Sequence, residues 1–132
     1  MARTSFNVSI DYELDYEVFE NLIVTAIEGG CNYWMWVDRK LNPELRELYR
    51  TEPLSVAIAK AVFNDDITVV LTDAENDDET YELKASKVEG SIRKMIKNGY
   101  ADVFRRIMSE EYDANDADIM FQYIVLGEVT FG

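Results

Sequence analysis

From Phe6 the chain alternates apolar and polar positions without a break, with Phe6, Val8, Ile10, Tyr12 and Leu14 on one side and Asn7, Ser9, Asp11 and Glu13 on the other. A period of two predicts a half-buried β-strand. At Asp15 the period changes. Val18, Phe19, Leu22, Ile23, Ala26 and Ile27 recur at helical spacing, with Asp15 suited to cap the helix and Gly29 to stop it in the left-handed conformation. Tyr33 to Val37 carries bulky side chains in both phases, the pattern of a central strand or one covered on both faces.

Asn42-Pro43 predicts a short helix through Tyr49, because proline suits the first helical position. Leu54 to Phe63 fits strand or helix, and its alanines favour helix. Ile67 to Thr72 is rich in branched residues and pairs back with Thr80 to Leu83 across the acidic loop Asp73 to Glu79. Ser86 and Glu89 stand at the spacing of a capping box, predicting a helix from about Lys87 to Lys97 that Gly99 breaks. Tyr100 to Met108 continues as a further helix, Asp116 caps a last apolar helix from Ala117 to Leu126 that Gly127 ends, and Glu128 to Gly132 reads as a final strand with Val129 and Phe131 inward. The expectation is one compact α+β domain over residues 1–132, with a small, mainly antiparallel sheet of about five strands packed with five or six helices.

Composition agrees with a packed globule, at 48% hydrophobic and 12% aromatic over 132 residues. No apolar run reaches the roughly 18 residues of a membrane span, and the opening segment lacks a signal-peptide apolar block, so a soluble chain without membrane attachment is expected. The single cysteine, Cys31, forms no internal disulfide, which points to the cytoplasm. The net charge of -13 opposes direct binding to nucleic acid. That charge is segmented. Residues 84–106 hold seven bases and two acids, whereas residues 1–83 hold six bases and 18 acids, and residues 107–132 hold six acids and no base.

The absence of histidine removes the commonest general base, the Ser/His and Cys/His nucleophile systems and the zinc sites that need imidazole. Neither GxxxxGK[ST] nor GxGxxG occurs. The alternating acids of the 73–79 loop fail as a calcium loop, since Asp78 and Lys84 stand where glycine and glutamate are required. The Asp113 to Asp118 cluster fits a hard cation less well than it fits a helix N-terminus, where the dipole favours carboxylates. No catalytic residue, metal ligand or cofactor is therefore assigned, and binding is favoured over catalysis.

Two stretches stand out. EGGCNYWMW, Glu28 to Trp36, sets a carboxylate, an amide and aromatic faces around a glycine turn, which serves either as turn and core or as the wall of a binding site. DANDADIMFQYIVLGEVTFG closes the chain and places Gln122 in mid-helix, where a buried amide must find a partner. Together they resemble a family of small, uncharacterised proteins encoded by bacteriophages and prophages, whose members carry EGG-x-NYW and a C-terminal Asp-Ala-Asp, Gln, Gly-Glu-x-x-aromatic-Gly pattern. The likeness runs from about Leu22 to Gly132, includes Pro53-Leu54-Ser55, and departs at Cys31 and Leu126. It implies a phage origin, the cytoplasm of a bacterial host, and the positions Glu28, Gly29, Gly30, Asn32, Tyr33, Trp34, Asp116, Asp118, Gln122, Gly127, Glu128 and Gly132 as candidates.

The resulting expectation is an accessory protein that sequesters a small, nucleotide-like ligand to counter a host defence. Tyr33 and Trp34 stack on its ring, Glu28, Asn32, Asp118 and Gln122 form the polar wall, and Arg93, Lys94 and Lys97 meet phosphate. The alternative is an acidic inhibitor of a host protein that imitates the charge of DNA through Asp11, Glu13, Asp15, Glu17 and Glu20. Its aromatic content makes a homo-oligomer the default expectation.

Overall fold

A computed structural model describes residues 2–132. Its first helix, α1 (Tyr16–Thr25), is capped by Asp15, whose carboxylate accepts the Val18 N–H at 3.0 Å. Such a cap contributes about 1 kcal/mol. The helix does not stop at a left-handed Gly29. It widens into a π-turn, Ala26–Gly30, closed by Cys31 N–H donating to the Ala26 carbonyl at 2.9 Å. Strand β1 (Met35–Trp36) follows, then a 3₁₀ turn (Arg39–Leu41), α2 (Pro43–Leu48) and α3 (Leu54–Asp65), both helices standing where the sequence predicts them. Strands β2 (Val69–Asp73) and β3 (Thr80–Leu83) form the expected hairpin.

A 3₁₀ turn at Ala85–Lys87 leads into α4 (Val88–Met95). Ser86 lies inside that turn, so the capping box is not formed. A kink across Ile96–Tyr100, with Gly99 at φ +100°, separates α4 from α5 (Ala101–Met108). The last helix, α6 (Ala114–Leu126), begins three residues earlier than the expected start at Ala117, because Asp113 and not Asp116 is the cap, accepting the orphan N–H of Asp116 at 2.8 Å. Gly127, at φ +82°, ends it as predicted.

The class is α+β, but the antiparallel sheet has three strands among the described residues, in the order β1-β2-β3. β1 is an edge strand, not a central one, and pairs Met35 with Asp73 and Trp36 with Thr72. Its outer residue Trp36 is exposed.

The two remaining expected strands are absent for different reasons. The arm over Phe6 to Leu14 lies beside helices: a groove of about 650 Å³ runs between Ile10 to Asp15 and side chains such as Phe63, Val88, Ile92 and Phe104. Helices offer no ladder, so Phe6 and Val8 stay 77% and 79% exposed. Tyr12 touches the body edge-on at Phe104, with ring centroids 5.3 Å apart. The C-terminal tail meets a side chain where a strand would pair, as described below.

The core gathers around α6. Nine of its thirteen residues are buried, which marks a helix enclosed on nearly all sides, with α1, α4, α5 and β3 around it. Its large buried members, Met120, Phe121 and Ile124, meet Phe19, Leu22, Ile23, Ile58, Leu71, Leu83, Met95 and Ile107 in one apolar cluster. Removing one such aromatic side chain costs about 3–5 kcal/mol.

Gly29 and Gly30 face different constraints. A Cβ at Gly30 would stand 2.8 Å from the Ala114 carbonyl oxygen, where the π-turn meets the start of α6, while a Cβ at Gly29 would meet nothing within 4 Å. Gly30→Ala is therefore expected to lower stability by about 1–3 kcal/mol. Gly29→Ala is expected to leave it unchanged or raise it by up to about 1 kcal/mol. Urea unfolding of the two variants checks the contrast, and equal effects would contradict the close approach at Gly30.

Candidate functional site

The widened end of α1 turns the following residues toward α6. Trp34 N–H donates to the Cys31 carbonyl at 3.1 Å, closing a tight turn, and three side chains of that turn, Cys31, Tyr33 and Trp34, point at one carboxylate. Asp118 Oδ1 accepts from Trp34 Nε1 at 2.9 Å, Gln122 Nε2 at 2.9 Å and the Cys31 thiol at 3.3 Å, and its Oδ2 accepts from the Tyr33 hydroxyl at 2.6 Å. Asp118 is 7% exposed, and no cation lies within 4.0 Å of it among the described residues. Four neutral donors thus hold a buried carboxylate, replacing its hydration by fixed dipoles.

Gln122 stands one helical turn further on and is fully buried. Its Nε2 also donates to the Phe131 carbonyl at 3.1 Å, while its Oε1 accepts the N–H groups of Thr130 and Phe131 at 2.8 and 2.9 Å. One side-chain amide therefore satisfies the backbone groups that a neighbouring strand would have taken. The tail so held lays Phe131 flat on Trp34, with centroids 5.2 Å apart and planes 9° from parallel. Val129, expected inward, is exposed.

Around this centre lies an open depression of about 460 Å³, bordered by Gly29 and Gly30 from the π-turn and Tyr100 from the kink before α5, with Tyr33, Asn115 and Gln122. Tyr33 is half-exposed, its hydroxyl fixed on Asp118 and its ring open to the depression. Trp34 is 2% exposed and enclosed by Phe121, Tyr81 and Phe131, so its indole is part of the floor and offers no face to a ligand.

The structure thus brings together Tyr33, Trp34, Asp118 and Gln122. Gly29, Gly30 and Gly132 border the depression, whereas the other side chains expected to touch a ligand lie outside it. Glu28 and Asn32 are exposed beside the turn, and Arg93 borders the groove along the N-terminal arm. Lys94 reaches the C-terminal end of α6, its Nζ 3.7 Å from where a Cβ of Gly127 would stand, and Lys87 donates to the Val125 carbonyl at 2.9 Å at the same end. Both ammonium groups thus meet the negative end of the helix dipole. Lys97 is exposed at the kink between α4 and α5.

The acidic C-terminal cluster divides into three separate tasks. Asp113 caps α6, Asp116 takes a two-pronged contact from Arg106 at 2.8 Å on each oxygen, and Asp118 turns inward. Among the described residues no group of three or more candidate ligands is placed to hold a metal ion. The Arg106 guanidinium holds the Asp116 carboxyl below the ordinary aspartate range, so its contribution to stability is present above that range and is lost as pH falls.

Sequence reasoning passed over Cys31, Tyr100 and Phe131. The signal available for Cys31 was its place directly before the aromatic triplet in a turn that Gly30 draws against α6. Burial, then the Asp118 carboxylate, pushes its thiol well above the ordinary range, so it stays protonated and serves as a donor.

No family model matches the sequence, no curated protein matches it significantly, and no solved structure matches it either. Among the described residues, no helix is long and apolar enough to cross a membrane.

Burial and the Asp118 carboxylate push the Tyr33 hydroxyl up to about 12 from its ordinary value of about 10. A tyrosine whose folded pKa is raised adds stability that is fully present below pH ~10 and is lost as pH rises through ~12. Asp118→Asn turns an NH₂ group toward these donors. It should cost about 1–3 kcal/mol in urea unfolding and return Tyr33 toward its ordinary titration, read as phenolate absorbance against pH. Unchanged stability and an unchanged titration would remove Asp118 from the centre of the site.

Proposed function

We propose that the protein is a phage-encoded accessory protein that binds a small, planar, nucleobase-like ligand and withholds it from a host defence. The observation that carries this reading is the half-exposed Tyr33 ring, anchored on Asp118 and open to a depression between the π-turn that ends α1 and the kink before α5. The π-turn at Ala26–Gly30 costs regular helical hydrogen bonding, and turns of that kind recur at functional positions. The resemblance of EGGCNYW and the C-terminal motif to phage proteins supports the origin, and their meeting at Asp118 supports a shared task.

The depression has no cationic side chain among its lining residues, so it suits a base or nucleoside ring better than a phosphate. Tyr33 and Tyr100 supply aromatic surface, and Asn115 supplies both a donor and an acceptor for a ring edge. Trp34, Phe131 and Gln122 keep Tyr33 in place.

A thermal-shift panel of nucleobases, nucleosides, nucleotides and cyclic dinucleotides tests the reading. At least one member should raise the melting temperature, Tyr33→Ala should abolish the rise, and the same variant should lose activity in a phage-protection assay. A panel with no shift, together with a silent Tyr33→Ala, would count against it.

The acidic-inhibitor alternative rests on a different observation, the exposed N-terminal arm. Asp11 and Glu13 stand exposed there beside uncovered Phe6, Val8 and Ile10. On this reading a host nucleic-acid-binding protein should be captured from lysate at low salt, released as salt rises, and missed by a chain lacking residues 2–13. Capture that persists without the arm would exclude it as the contact.

A further inference from the structure

Residues 1–83 carry only six bases against 18 acids, yet four of those six, Arg39, Lys40, Arg46 and Arg50, line one depression of about 600 Å³. The 3₁₀ turn supplies Arg39 and Lys40, α2 supplies Arg46, and Arg50 follows directly after α2. None of the four has a carboxylate within 4.0 Å among the described residues. Two carboxylates, Glu47 and Glu52, also border the space, and Glu52 is already bound to Lys60.

In a chain with 26 acidic residues, partners for these cations were plentiful. Gathering them unpaired in one concavity sets like charges against one another, and a bound anion relieves that repulsion. Guanidinium groups match phosphate oxygens two at a time. Beneath the charged rim lie Leu45, which is buried, and the half-buried Tyr49 and Leu54. The Tyr49 hydroxyl is engaged by Asp65, which fixes the ring at the wall.

We propose that this depression binds a polyphosphorylated small molecule, with its phosphates among Arg39, Lys40, Arg46 and Arg50 and its organic part over Tyr49, Leu45 and Leu54. The volume falls in the usual range for small-ligand sites. The depression shares no lining residue with the one at Tyr33, and the proposal does not rest on the function proposed for that site.

Isothermal titration at low salt with inorganic pyrophosphate and with ATP tests it. The wild-type chain should bind both, and ATP more tightly. An Arg46→Gln/Arg50→Gln double variant should weaken pyrophosphate binding by about tenfold or more. A charge-matched Arg3→Gln/Arg105→Gln double, altered at exposed positions elsewhere, and Tyr33→Ala should both bind pyrophosphate like wild type. Absence of pyrophosphate binding by the wild-type chain, equal weakening of it in the two doubles, or its loss in Tyr33→Ala would overturn the assignment to this depression. ATP binding no tighter than pyrophosphate would overturn the seat for the organic part.

Discussion

The Asp118 carboxylate is the constraint on which the rest of the site depends. A buried carboxylate without a counter-cation is stable only when donors surround it, and three of its four donors are drawn from a segment that would otherwise be free to lie elsewhere. Cys31, Tyr33 and Trp34 come from the turn after α1, and Gln122 from α6 itself. Through Gln122 the tail is fixed, through the tail Phe131 covers Trp34, and through Trp34 the edge of the sheet joins the helical core. Local networks of this kind polarise one another, so their members act as a unit.

The small sheet follows from a related substitution of side chains for strands. Asn42, 2% exposed, accepts the Val70 N–H at 2.7 Å and donates to the Val70 carbonyl at 2.9 Å, completing the edge of β2 beyond the point where β1 ends. Gln122 does the same for Thr130 and Phe131. Two buried amides thus satisfy backbone groups that longer strands would have paired, and three short strands suffice.

These substitutions explain what was legible in the sequence. Helices α1, α2, α3 and α6, the β2–β3 hairpin and the buried character of the last helix follow from periodicity and capping chemistry, which act within a few residues. The same periodicity also gave the arm a strand pattern, but strand formation needs a neighbour with free hydrogen-bonding groups, and only helices lie beside it. The convergence of Tyr33, Trp34, Asp118 and Gln122 was visible as two motifs and a mid-helix amide, because Asp118 and Gln122 share one helix face at i, i+4. The exclusion of Trp34 from any ligand contact was not visible, since Phe131 reaches it only through the folded tail. Nor was the cationic depression at α2, whose charge is hidden in a segment that sums to -12.

The π-turn at Ala26–Gly30 fits one more residue into the helix end than regular α-helical winding would. Each residue in a helix turns the chain by about 100°. Shortening the chain by one residue in this turn would therefore rewind the end of α1 as ordinary helix while rotating Cys31, Tyr33 and Trp34 away from Asp118. The site is thus sensitive to length as well as to identity at this point: a single-residue deletion among exposed positions could preserve every named side chain and still dismantle the arrangement they make.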